Sequence, residues 1–111
     1  MVLLGWIQRR RSGKVAERHA DRIVARLSRL VRDAALPRAA GLPRAEARGY
    51  IRVKALSAVA AHIEKSSDAD DAIPSRLRTL VATLATEHLV VELMRQLAHG
   101  SSRTATKRRA A

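Results

Sequence analysis

The stretch from Lys14 to Leu36, KVAERHADRIVARLSRLVRDAAL, constrains this chain more than any other. Wound at about 100° per residue, it places Ala16, Ala20, Ile23, Val24, Leu27, Leu30, Val31 and Ala34 in one sector roughly 140° wide. Lys14, Arg18, Arg22, Arg26, Arg29 and Arg32 fall in a sector about 120° wide on the other side. An amphipathic helix of this kind needs a core on one face and water or an anion on the other. Asp21 and Asp33 stand one turn from Arg18 and Arg29, close enough for partial neutralisation along the helix.

Two further segments of similar length carry helical periodicity. Residues 43–65 open on Pro43, suited to a first helical position. They carry the apolar stripe Ile51, Ala55, Val59, His62 and Ile63, and Gly49 is expected to admit a close backbone neighbour. Toward the start of this helix the stripe runs into Arg44, Arg48 and Arg52, which therefore align with the core face. Residues 74–99 show a seam of Leu77, Leu80, Val81, Leu84 and Val91. Leu89, Val90, Leu93 and Leu97 add what reads as a second apolar side. A helix apolar on two sides must be covered on two sides, which makes these four residues candidates for an interface.

The connectors are short. Pro37–Pro43 reads as a compact turn, with the first helix stopping at Leu36 because proline disfavours helical geometry in the residue before it. Ser66–Ile73 holds the one acidic block, Asp68, Asp70 and Asp71, placed to complement the positive end of the following helix. It lacks the ligand alternation, glycine and distant glutamate of a calcium loop. Residues 1–13 form a short apolar arm ending in Arg9, Arg10 and Arg11. Its apolar run is too short for a bilayer, and its charges follow the run, unlike a secretory signal. Leu3, Leu4 and Trp6 are candidates to cover an apolar patch or meet a partner. Residues 100–111 carry four basic and no acidic residues and read as a disordered basic tail beyond Gly100. The expected architecture is an all-α three-helix bundle, with helices near 14–36, 43–65 and 74–99.

A chain of 111 residues without cysteine excludes disulfides and thiolate chemistry and fits a reducing, cytoplasmic setting. The net charge of +12 favours polyanionic partners. With one Trp, one Tyr and no Phe, the chain lacks the aromatic platform on which single-stranded nucleic acid stacks. Glu87, His88 and Glu92 are the nearest approach to a chemical cluster. They match neither a di-iron bundle nor a zinc-protease spacing. His88 reads as a core-edge residue bonded to a carbonyl or to Glu92. No catalytic residue, metal site or cofactor is expected. The functional expectation is a non-enzymatic interaction or homo-oligomerisation module, a homodimer built through helix 3 or a complex with a partner protein. The alternative is an electrostatic nucleic-acid binder using Arg18, Arg22, Arg26 and Arg29, with Arg44, Arg48 and Arg52 as further anion candidates. Peripheral membrane contact through residues 1–11 stands third.

Overall fold

In a computed structural model of the chain, the backbone is described for residues 2–66 and 73–110, and side chains for 13–65 and 73–100. The chain is an all-α three-helix bundle of α1 (Val2–Ala39), α2 (Arg44–Ser66) and α3 (Arg78–Ala110), with a single 3₁₀ turn, Ser75–Leu77, leading into α3. Each helix packs on the other two. Its radius of gyration is 17.2 Å, against about 13 Å for a compact domain of this length. The excess reflects a rod-like shape, 64 Å long and 32 by 21 Å across.

The topology is up, down, up. Asp21 of α1 meets His88 of α3, and Ala39 and Ala40 lie beside Met94, Leu97 and Ala98, so α1 and α3 run parallel. Arg52 of α2 meets Glu87, while Arg44 and Arg48 lie beside Val90 to Ala98, so α2 runs antiparallel to α3.

The helices run further than their periodicity predicts. The N-terminal arm is not separate: residues 2–13 continue into α1 as one helix. At its other end α1 passes through Pro37 to Ala39. Proline removes one helical N–H and biases Leu36 against the α region. The next turn is nonetheless held, because Ala40 N–H donates to Leu36 C=O at 2.9 Å and Ala39 is fully buried. Gly41 N–H to Arg38 C=O and Leu42 N–H to Ala39 C=O, each 3.1 Å, then tighten the chain. Pro43 stands just outside α2, its carbonyl accepting Ala47 N–H at 2.8 Å. Beyond Gly100 the backbone of α3 continues as helix to Ala110. Extending an existing helix is far easier than nucleating one, and Gly100 keeps a negative φ.

The core follows a rhythm of four. From Ile23 the buried file of α1 is Leu27, Val31, Ala35 and Ala39; in α2 it is Ala47, Ile51, Ala55, Val59 and Ile63; across the 3₁₀ turn and α3 it is Leu77, Val81, Ala85, Leu89 and Leu93. A step of four residues turns about 400°, so the file drifts roughly 40° per step and follows the i±4n ridge obliquely. Among the described residues, seven of the 19 buried apolar ones are alanine, and side chains that small let ridges approach closely.

That drift explains where a straight stripe misplaces the core. Leu30 and Ala34 of α1 trail behind the file and are exposed, while Ala35 replaces them. Leu80 and Val91 of α3 trail likewise, 41% and 62% exposed. Gly49 has open space where a Cβ would stand, so no neighbouring backbone requires a glycine there.

Candidate nucleic-acid interface

Three of the four residues expected to form an interface on α3 do not lie on a surface. Leu89, Val90 and Leu93 are buried within the single chain, and Leu97 packs against the same core. What reads as a second apolar side is the continuation of one drifting file. Val90 turns toward α2, and its neighbour Val91 faces solvent. Leu3, Leu4 and Trp6 lie outside the described side chains, as do the acidic residues Asp68, Asp70 and Asp71.

The arginines separate into three environments. Arg18, Arg22, Arg26 and Arg29 all lie exposed on the side of α1 away from the core. The two aspartates that would neutralise them along the helix are engaged elsewhere. Asp21 Oδ1 lies 3.7 Å from His88 Nδ1 across the α1–α3 contact, and Asp33 Oδ1 lies 3.5 Å from Arg32 Nε. Arg18, Arg26 and Arg29 have no carboxylate partner among the described residues. From Arg18 to Arg29 this face extends about 16 Å along the helix.

Arg52 belongs to a different class. Its Nη2 lies 2.9 Å from Glu87 Oε1, so the guanidinium joins α2 to α3 and is not held open for an anion. Both side chains are about half exposed, which makes this a surface pair of modest strength.

Arg44 and Arg48 form the third group. They border an open groove of about 320 Å³ between α2 and α3, floored by Val90, Val91 and Met94 and shared with Arg95. Arg95 hydrogen-bonds Glu92, one turn back. Glu92 Oε1 also accepts from Gln96 Nε2 at 3.2 Å. The Gln96 hydrogen bond holds the Glu92 carboxyl below its ordinary pKa; desolvation opposes it, and the Arg95 charge and hydrogen bond add smaller lowering effects. Arg44 and Arg48 have no carboxylate partner among the described residues.

His88 is exposed and faces Asp21, not Glu92 or a carbonyl. Among the described residues, no three His, Cys, Asp or Glu side chains converge as a metal site, and no helix is long and apolar enough to cross a membrane. The Tyr50 ring is flanked by Arg38 and Lys54 at 5.5 and 5.6 Å from its centroid. Cations therefore occupy the aromatic surface that a base would need.

Two of these features carry no sequence signal that short-range spacing detects. Asp21 and Glu87 find their partners on other helices, and Arg95 enters the α2–α3 groove from a helix whose arginine periodicity does not mark it. No family model, curated protein or solved structure is significantly similar to the chain.

Proposed function

We propose that this chain is a non-enzymatic protein that binds duplex nucleic acid electrostatically, through phosphate contacts from the outward face of α1, in the cytoplasm. The observation that carries the reading is the exposed row of Arg18, Arg26 and Arg29, none of which pairs with a carboxylate among the described residues; Asp21 turns toward His88 and Asp33 toward Arg32. A duplex presents one phosphate per strand about every 3.4 Å of axis, so a rigid row of about 16 Å spans roughly five phosphates of one strand. Arginine suits this role because its planar fork bonds phosphate oxygens in pairs. Contacts of this kind set affinity and orientation and read little sequence.

The homo-oligomerisation reading draws on Leu89, Val90, Leu93 and Leu97 and on the apolar residues Leu3, Leu4 and Trp6; burial of Leu89, Val90 and Leu93 within one chain takes those three out of its support.

The test is anisotropy of a labelled duplex across a salt series, for the wild type and for a variant with Arg18, Arg22, Arg26 and Arg29 all changed to alanine. Alanine preserves helix propensity, and none of the four is buried. The slope of log K against log[salt] should become shallower by about 3–4, and a scrambled duplex should bind equally well. An unchanged slope, or a wild type that ignores duplex at low salt, defeats the proposal. Light scattering on the same samples reads the oligomeric alternative directly.

A further inference from the structure

The groove between α2 and α3 is lined by no residue of α1, although α1 packs on both of those helices. In a three-helix bundle that puts the groove on the side of the molecule turned away from α1. The outward face of α1, with Arg18, Arg22, Arg26 and Arg29, points the opposite way. The molecule thus carries two separate positive surfaces, back to back.

The groove surface is positive for reasons independent of α1. Arg44 is the first residue of α2, where unpaired backbone N–H groups and the helix dipole add positive potential. Arg48 lies one turn on, and neither has a carboxylate partner among the described residues. Glu46, the acidic residue of this first turn, is two positions from each of them and so about 200° round the helix, on the other side.

From these placements we propose that one copy of the chain bridges two nucleic-acid duplexes, one along α1 and one at the α2–α3 groove. The inference rests on the phosphate-binding reading of α1. A single short duplex cannot serve both surfaces. The bundle measures 32 by 21 Å across, and duplex DNA is stiff over about 150 bp, so it does not wrap so thin a body. Two duplexes engage both surfaces with no bending.

Bridging is measured by co-capture. One short duplex is held on beads, the protein is added at one copy per duplex, and a fluorescent second duplex is offered at low salt. Single-duplex affinity is read in parallel by anisotropy. The wild type should retain the second duplex. The R44A/R48A variant should keep single-duplex binding through α1 yet lose about tenfold or more of the co-capture, as two phosphate contacts disappear from the second surface. Wild-type binding of one duplex without co-capture overturns bridging and leaves the α1 reading intact. Undiminished co-capture by R44A/R48A also overturns it, including the case in which two associated copies each present α1. A wild type that binds no duplex at all ends both proposals.

Discussion

α1 and α3 are both long helices with an apolar side, yet they relate differently to the rest of the bundle. α1 sorts most of its residues, with a buried file on one side and an exposed arginine row on the other, and leaves Leu30 exposed between them. α3 is apolar over more than half its circumference, and the bundle covers one part of it. Leu89 and Leu93 are sealed, while Leu80 and Val91 remain open to solvent. The comparison teaches that apolar periodicity locates a helix reliably. It identifies the buried side only when the opposite side is marked by charge.

Leu93→Glu should have the largest effect. Leu93 is fully buried, and an unpaired carboxylate there should cost more than about 4 kcal/mol, enough to abolish most of a small domain's stability. Far-UV circular dichroism should show loss of helix. A folded variant whose only change is loss of a dimer would return Leu93 to an interface. The milder Leu93→Ala should cost about 2–5 kcal/mol in urea melts.

Thr86→Val sharpens the account of the core from the other direction. Thr86 is 5% exposed, and its hydroxyl finds no hydrogen-bond partner. Valine keeps the shape and removes the orphan group. The variant should be more stable by about 1–2 kcal/mol, with a rise in Tm of several degrees. A destabilised variant would mean that the hydroxyl is satisfied in solution.

A double-mutant cycle on Arg52 and Glu87 tests whether the arginines differ as their surroundings imply. The coupling should be about 0.2–1 kcal/mol and should fade with salt. Arg26→Ala, by contrast, should leave stability within about 0.5 kcal/mol while weakening duplex binding. If Arg52→Ala weakens binding as much as Arg26→Ala and shows no coupling to Glu87, the separation of the arginines fails.

Val91→Glu should have the smallest effect, within about 0.5 kcal/mol, because the side chain is 62% exposed. Set beside Leu93→Glu, two positions away, it isolates burial from helix propensity. A large loss at Val91 would show that this side of α3 is covered in solution by something outside the chain.

The number, type and order of the helices were legible in the amino-acid sequence, because apolar residues recurring every three to four positions have no other economical fold. The exposure of Arg18, Arg22, Arg26 and Arg29 was legible too, since Leu27 and Val31 lie opposite them. Several features depended on packing. The file drifts by about 40° per step, and Ala35, Ala39 and Ala85 are as acceptable in water as in a core, so composition did not mark them as buried. Proline at position 37 signalled a stop that Ala39, once buried, overrides. The fate of each charge was the least legible of all. Asp21 and Asp33 look like partners for arginines one turn away, and Arg52 looks open. Asp33 turns to its neighbour Arg32, while Asp21 and Arg52 meet partners brought in from α3, a distance that spacing along one helix does not contain. Local periodicity specified the elements, and the crossing of three helices specified which arginines remain available to an anion.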